Sequence, residues 1–397
     1  MGHYLHRLAP AILLCAAVSN AQEPGTRAAE IESQQAAKAK VVRQYIPQKA
    51  EALFNKFQNM LLEAPSGPYP FLGSVYQGGG VTVGPGYRRY YGDNTAWHVH
   101  GGITIKNYKL LEAGTESKGH LNRRLSFGAT LGWRDATQVP FYGLGMKTEK
   151  DDQTSFRFQQ TSADGHMTLK PKTWAVIRAN LAYEHWETKP GQGSLPSIEE
   201  RFTPVTAPGL GSDPSFVHSQ FSAGIDWRQS PGYTRRGGLY EVALHDYHNM
   251  SGGAYNFQRM TGEVIQHVPL LRETWVLAGR ARVETILNEN DAVPYFMLST
   301  LGNGTTLRGF STDRFRDRHS LLMNAEFRWM TAVGLDMVFF YDAGKVTRRR
   351  SDLDLKGLKS DVGIGARFHG PLSTPLRIDL AVGNEGWRVV MSAGPVF

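Results

Sequence analysis

Apolar and polar residues alternate along most of the chain after residue 70. At the carboxyl terminus, one face carries Trp387, Val389, Met391 and Phe397, and the other includes Arg388. An apolar residue at every second position is typical of a β-strand with one apolar face. The same division recurs in four preceding segments, at 319–330, 334–345, 359–369 and 373–383. We therefore predict strands in all of these segments.

Extending the count toward the amino terminus predicts about sixteen strands. Seven precede residue 287, at 122–135, 153–170, 172–187, 215–228, 237–249, 254–267 and 272–286, and four shorter strands fit into 71–114. Long segments interrupt the series at 188–214, 287–318 and 346–358. An even number of strands leaves both termini on the same side of the sheet; in an outer-membrane barrel that side is the periplasm, and these long loops are then expected at the exterior.

Alternation alone fits two architectures, a soluble sandwich and a transmembrane barrel. Three features favour the barrel: the strands are long enough to cross a bilayer when tilted, short turns alternate with long loops, and aromatic residues gather near strand ends. We therefore predict an all-β fold, a transmembrane antiparallel β-barrel over residues 70–397. Since every backbone group in hydrocarbon needs a hydrogen bond, the sheet is expected to close on itself.

The amino terminus has the features of a signal peptide over residues 1–21. Arg7 precedes an apolar run from Leu8 to Val18, and the small residues Ser19 and Ala21 follow it. The single cysteine, Cys15, lies in that run, so the mature chain has no thiol. This excludes disulfides, thiolate metal sites and cysteine nucleophiles, and it agrees with export to the bacterial outer membrane.

Residues 22–69 differ from the rest of the chain because their pattern is helical. Ala50, Leu53, Phe57 and Leu61 form one apolar stripe after a proline. We predict a periplasmic helical extension or a plug of the barrel. No later segment has 18 consecutive apolar residues, which excludes a helical membrane span.

The chain carries a net charge of +8. A basic chain can bind nucleic acid, but here the cations are dispersed among acidic residues and follow a signal peptide. We predict no nucleic-acid partner. The cations are expected to line a wet interior or to contact the anionic headgroups of outer-membrane lipid.

The tetrapeptide Leu307-Arg308-Gly309-Phe310 interrupts the alternation inside the loop 287–318. If this loop stays outside the barrel, Arg308 is one more solvated cation. If the loop folds into the lumen, the neighbouring strands offer Glu326 and Asp342 on their inward faces. A guanidinium pairs with carboxylate through two parallel hydrogen bonds, which lysine does not reproduce. We therefore predict a latch in which Gly309 permits close approach to the wall and Phe310 packs beside it.

These motifs resemble the BamA/TamA superfamily of outer-membrane barrels, also called bacterial surface antigens. Leu307–Phe310 matches the family's tetrapeptide in the loop before the twelfth strand, and Phe340, Asp342 and Gly344 match its F-x-D-x-G motif. The segments NAEFRW (324–329), FYGLG (141–145) and DWRQSPGYTRRG (226–237) are similar to further family signatures. Together these motifs cover most of 71–397.

The resemblance implies a protein that inserts or translocates polypeptides, or alternatively lipids, at the outer membrane. It also implies a weakly paired seam between the first and last strands, where an unfolded client is templated by strand addition. Pro395 is expected to remove one hydrogen-bond donor from this seam. The family's periplasmic POTRA modules are too long to fit into residues 22–69, so a separate periplasmic partner is expected to replace them.

Two other function classes remain open at this point. A passive diffusion pore would use inward-facing arginines to favour anions, namely Arg178, Arg228, Arg280 and Arg282. A membrane-embedded hydrolase would use His245, Asp246, His248 and Ser251, but alternation places the two histidines on opposite faces and no nucleophile elbow is present.

His98 and His100 share one face of a predicted strand. Two histidines without a third ligand more often line a lumen than bind a metal. We therefore predict no metal site, no cofactor and no catalytic residue.

Overall fold

The computed structural model describes residues 66–92, 94–253, 255–271, 273–332, 334–370 and 373–397. The predicted signal peptide 1–21 and the predicted helical segment up to residue 65 lie outside these ranges. Within them, no helix is long and apolar enough to span a membrane.

Sixteen strands form one antiparallel sheet in which each strand pairs with the next along the chain. They are β1 (Gly67–Gly73), β2 (Thr82–Tyr91), β3 (Thr95–Ile103), β4 (Lys109–Gly119), β5 (Leu125–Phe141), β6 (Thr154–Lys172), β7 (Ala175–Pro190), β8 (Ser215–Asp226), β9 (Gly237–Asn249), β10 (Phe257–Leu270), β11 (Trp275–Ile286), β14 (His319–Ala332), β15 (Leu335–Thr347), β16 (Lys359–Phe368), β17 (Leu376–Gly383) and β18 (Gly386–Ser392). Two short strands, β12 (Ser299–Leu301) and β13 (Phe315–Asp317), form a separate hairpin within loop 287–318. The predicted count of sixteen strands is confirmed.

Helical structure is limited to short pieces in the connections. These are α1 (His120–Arg123), α2 (Ile198–Arg201) and the 3₁₀ turns Lys150–Asp152, Tyr295–Met297 and Arg350–Asp352. The four longest connections, 142–153, 191–214, 287–318 and 348–358, leave the same end of the sheet, which we name the loop end. The opposite end, named the turn end, carries the carboxyl terminus, the connection 227–236 and short turns such as 173–174.

The burial of side chains is inverted relative to a soluble protein. On β16, Val362 and Ile364 are 43% and 50% exposed, whereas Asp361 and Arg367 on the opposite face are buried. Exposed tryptophans lie at strand ends, as in the aromatic girdle of a membrane barrel: Trp174, Trp227, Trp275 and Trp387. Apolar side chains facing outward and charged ones facing inward fit lipid outside and a polar interior inside. This decides for the barrel and against the sandwich.

Both ends of the predicted barrel need correction. β1 begins at Gly67, inside the segment predicted to be helical, and β18 ends at Ser392. Gly394 has a φ of 80°, which breaks the strand before Pro395. Phe397 therefore does not face lipid with Trp387 as predicted, and Pro395 removes no donor from the sheet.

The last residues instead turn into the interior at the turn end. Val396 and Phe397 are buried in a cluster with Leu239, Ile265 and Ala278, which lie on the inner faces of β9, β10 and β11. The Arg328 guanidinium lies 5.6 Å from the centre of the Phe397 ring.

The expectation of a closed sheet is also corrected. Among the described residues, β1 pairs only with β2, and β18 pairs only with β17. Pro68 and Pro70 lie two positions apart in β1, so both missing N–H groups are on the same side of the strand. Proline in a sheet is confined to the free side of an edge strand, which makes β1 a poor partner for closure.

Candidate functional site

The first half of loop 287–318 packs on aromatic residues of the barrel wall. The Tyr295 ring is 4.8 Å from Phe156 and 5.5 Å from Phe141, and the Phe296 ring is 5.3 Å from Trp186. These wall residues lie on β5, β6 and β7. Tyr295 is fully buried, so this half of the loop is part of the hydrophobic interior.

The second half of the loop is a compact turn between β12 and β13. The Thr306 hydroxyl accepts a hydrogen bond from the Gly302 amide at 3.0 Å, and the Asn303 carboxamide oxygen accepts one from the Thr305 amide at 2.7 Å. Leu307 and Phe310 are buried against apolar side chains of the hairpin and the wall. The turn is therefore ordered by its own hydrogen bonds and presents the intervening Arg308 to the wall.

Arg308 contacts carboxylates on two adjacent strands. Its Nε and Nη2 donate to Asp342 Oδ2 and Oδ1 at 2.7 and 2.8 Å, the bidentate geometry that suits a guanidinium. Its Nη1 donates to Glu326 Oε1 at 2.6 Å. All three side chains are fully buried. Thus the structure brings together Arg308, Glu326 and Asp342, the three residues of the predicted latch.

The surroundings keep this guanidinium charged. Burial alone lowers the pKa of Arg308, but the hydrogen bonds to Asp342 and the charge of Glu326 outweigh it and raise the pKa above its ordinary value. The guanidinium carbon also lies 3.4 Å from the centre of the Phe340 ring, within reach of a cation–π interaction.

The F-x-D-x-G motif of β15 has one structural role at each of its three positions, all on the inner face. Phe340 stacks on the guanidinium, and Asp342 accepts its two parallel hydrogen bonds. A Cβ atom at Gly344 would lie 2.8 Å from the Leu321 carbonyl oxygen and 3.0 Å from the Leu301 side chain. Gly344 therefore leaves the space that the loop hairpin occupies.

Gly309 lies against the wall at β16. A Cβ atom at this position would come within 2.6 Å of the Asp361 Cβ and 3.0 Å of the Gly383 amide nitrogen. Any side chain here would push the loop away from the wall, so the close approach depends on glycine.

The ion pairs extend beyond the three predicted residues, over β14, β16 and β17. Glu326 also accepts from Arg328 Nε at 2.7 Å and from Arg367 Nη2 at 2.9 Å. Arg367 Nη1 donates to Asp379 Oδ1 at 2.6 Å. We call the complete set the Arg308 cluster; its members are Arg308, Glu326, Arg328, Asp342, Arg367, Arg377 and Asp379. Alternation also places Arg328, Arg367, Arg377 and Asp379 on inward faces, but alternation alone does not indicate that they join Arg308, Glu326 and Asp342.

The loop also contacts the last strand and the other loops. Ser311 Oγ accepts from Arg388 of β18 at 2.9 Å, and Arg314 Nε donates to Glu385 just before β18 at 2.9 Å. Asp313 accepts from the Tyr76 hydroxyl at 2.7 Å, next to β1. Loop 287–318 therefore links the ion-paired wall to segments beside both free edges of the sheet.

Comparison with known protein families identifies the superfamily of this barrel. The Omp85 superfamily domain matches residues 92–388, well over half of the chain. The chain belongs to the Omp85 superfamily. It is accordingly an outer-membrane β-barrel of the BamA/TamA type, and membership supports a general role in protein insertion or translocation. A comparison with curated proteins found no match.

The solved structures that resemble this Omp85 barrel include a BamA and a CdiB. BamA from Haemophilus ducreyi lacking POTRA domains 1–3 has a TM-score of 0.60 at 12% identity, covering 82% of this chain and 69% of that chain. CdiB from Escherichia coli has a TM-score of 0.50 at 11% identity, covering 82% of this chain and 61% of that chain. At such identities the likeness concerns the fold.

The arginines considered for an anion-selective pore are all paired with acidic residues in this Omp85 barrel. Arg280 Nε donates to Glu263 at 2.7 Å, and Arg228 Nε donates to Asp226 at 3.0 Å. Arg178 pairs with Glu241, and Arg282 with Glu284. These pairs cancel the positive charge that an anion filter needs.

The residues considered for a hydrolase do not form one site. His245 faces inward and lies 3.1 Å from a nitrogen of His218, whereas Asp246 and His248 face outward. The Ser251 hydroxyl accepts from the Ser215 amide at 2.9 Å. Among the described residues, Ser251 has no hydrogen bond to either histidine, so the structure shows no pair of nucleophile and base.

Proposed function

We propose that this Omp85 barrel inserts or translocates polypeptides at the outer membrane by accepting an extended client strand at the free edge of β18. The observation that carries the proposal is the absence of β1–β18 pairing among the described residues. An unpaired edge presents backbone donors and acceptors to an incoming strand, and strand addition supplies the binding energy through main-chain hydrogen bonds.

Loop 287–318 has the role of a latch in this proposal. The Arg308 cluster fixes the loop against β14–β17, and the contacts of Ser311 and Arg314 extend this support to β18. A client therefore meets an edge that is unpaired but held in position. We infer a polypeptide cargo rather than a lipid, because a lipid would not use backbone pairing at the edge.

Disulfide crosslinking tests where a client binds. Because the mature part of the chain lacks cysteine, Val389→Cys on β18 and Ile364→Cys on β16 give single thiols, and both native side chains are about half exposed on the outer surface. We expect an unfolded barrel protein with one cysteine to crosslink to the variant at 389 during its insertion into liposomes. The matched position 364 lies on a strand paired on both sides and is expected to remain uncrosslinked.

Insertion kinetics and conductance test the activity itself. The reconstituted barrel is expected to accelerate insertion of the unfolded client, and Arg308→Ala to reduce that acceleration. A diffusion pore predicts a different pair of results: no acceleration, together with a steady large current across a planar bilayer. That pair would overturn the proposal. Loop 287–318 contributes side chains to two buried hydrophobic clusters of the barrel, which supports the first outcome over an open channel.

A further inference from the structure

The inner face of β3 and β4 carries a compact group of three side chains that the proposed function does not use. His98 and His100 lie two positions apart on β3, so both point inward. Glu112 on β4 is directly opposite His100 in the register. Among the described residues, this is the one group of three acidic or imidazole side chains with its ligand atoms close enough to share a metal ion.

The geometry is close to that of a three-ligand metal site. Glu112 Oε1 lies 3.7 Å from His98 Nε2 and 3.8 Å from His100 Nε2, and the three donor atoms are within 4.8 Å of one another. Ligands of a tetrahedral zinc ion bound at its usual distances are about 3.3 Å apart. Small side-chain movements would therefore bring all three atoms into coordination distance.

Neighbouring residues make room for the group and orient it. Gly114 is opposite His98, and a Cβ atom there would lie 2.9 Å from the His98 ring. The Tyr69 hydroxyl lies 3.3 Å from His100 Nδ1, which leaves Nε2 directed at Glu112. A hydrogen bond to the second ring nitrogen is the usual partner of a metal-ligating histidine. The Phe71 ring stacks on His100 at 3.9 Å and limits its rotation.

The site is accessible without being fully solvated. The side chains of His100, His98 and Glu112 are 10%, 20% and 34% exposed, so an ion can enter from the lumen and keep a water ligand. Arg88 is opposite His98 on β2, and its guanidinium lies 5.1 Å from the centre of the Tyr69 ring. This cation weakens the affinity for a metal ion but leaves the ligand set intact.

We propose that His98, His100 and Glu112 bind a divalent transition-metal ion of the zinc class, with the fourth coordination position open to luminal water. Imidazole nitrogen suits zinc, copper and nickel rather than magnesium or calcium, and two histidines with one carboxylate are an established open zinc set. Through Tyr69 and Phe71 the bound ion would fix His100 against β1, the free edge of the sheet.

Zn²⁺ titration of the full chain tests this site. The protein, carrying no histidine tag and freed of metal with a chelator, is titrated in detergent by calorimetry. We expect saturable binding of one Zn²⁺ per chain, weakened at least about tenfold by His98→Gln and by Glu112→Gln. The two variants are independent, so the test survives a folding failure of either. Heat-modifiable gel mobility identifies folded barrels.

His166→Gln is the matched control. His166 is also on an inner face beside a carboxylate, with Nδ1 3.3 Å from Asp164, but no third ligand lies close to the pair in the part of the chain that the structure describes. This variant is expected to bind Zn²⁺ like the unaltered chain. The assignment is overturned if binding does not saturate at one equivalent, or if His166→Gln weakens it as much as His98→Gln does.

Discussion

The inner wall at β14–β17 and the two free edges of the same sheet are built in opposite ways. The wall contains buried charged side chains that pair with one another and with Arg308. The edges β1 and β18 are short strands with a partner on one side only. Trp387 and Met391 on β18 are 71% and 67% exposed. The barrel therefore concentrates specific contacts in one region and leaves backbone pairing incomplete in another.

The two regions have different roles: the wall positions the loop, and the edge offers backbone groups for strand pairing. Buried ion pairs contribute little net stability compared with apolar packing. Removing one partner is nevertheless costly because it leaves a buried charge unpaired, so such pairs favour a single arrangement of the side chains. An edge strand does the reverse, since it accepts any extended chain through its backbone. Loop 287–318 connects the two regions because it contacts Asp342 on the wall and Arg388 on β18. Substitutions in the wall should therefore also change the position of β18 at the edge.

Arg308→Ala is expected to have the largest effect. It leaves Asp342 and Glu326 buried with fewer partners, which costs about 3–5 kcal/mol when a buried pair is broken. We expect a lower urea midpoint by tryptophan fluorescence, and trypsin cleavage within 287–318. Arg308→Lys keeps the positive charge but loses the bidentate geometry. Its urea midpoint should therefore lie between those of Arg308→Ala and the unaltered chain.

Arg236→Ala is the matched control for this substitution. Arg236 is 65% exposed and lies 3.7 Å from Glu273, and exposed pairs of this kind contribute about 1 kcal/mol or less. If Arg308→Ala unfolded at the same urea concentration as Arg236→Ala, with loop 287–318 still resistant to trypsin, the latch would be refuted.

Gly309→Ala is expected to have an intermediate effect. The new methyl group would overlap the Asp361 side chain, and overpacking of this kind costs about 1–3 kcal/mol. The urea midpoint and the trypsin cleavage within 287–318 are measured as for Arg308→Ala. Gly262→Ala on β10 is the control, because a Cβ atom there meets nothing within 4 Å. Equal unfolding midpoints for the two alanine variants would mean that the loop does not depend on close approach to the wall.

The alternation of the sequence was sufficient to predict the strand count and the faces on which Arg308's partners lie. Glu326 and Asp342 follow directly from period two, because each position on a strand determines its own face. Asp379 and Arg367 have the same signal, but their contacts depend on the register between strands and on the depth of the loop. Such distances arise only from the assembled sheet.

The carboxyl terminus shows where the same pattern misleads. Alternation continues formally to Phe397, but Gly394-Pro395 is a turn signal that ends the strand.

The third ligand beside His98 and His100 was missed for another reason. Glu112 is on the next strand, and its position opposite His100 is a matter of register.

The smallest expected effect comes from restoring backbone donors at the edge with the double substitution Pro68→Ala and Pro70→Ala. Each restored N–H can add one hydrogen bond between β1 and β18, worth about 1 kcal/mol. If the prolines keep the seam open, amides of 386–392 should exchange with deuterium more slowly in this variant, while those of β14 and β15 are unchanged. Client crosslinking at position 389 should fall in parallel, since closure removes the free edge. Unchanged exchange in 386–392 would mean that the prolines do not prevent closure, and the open seam would then have to depend on the inward turn of Val396 and Phe397.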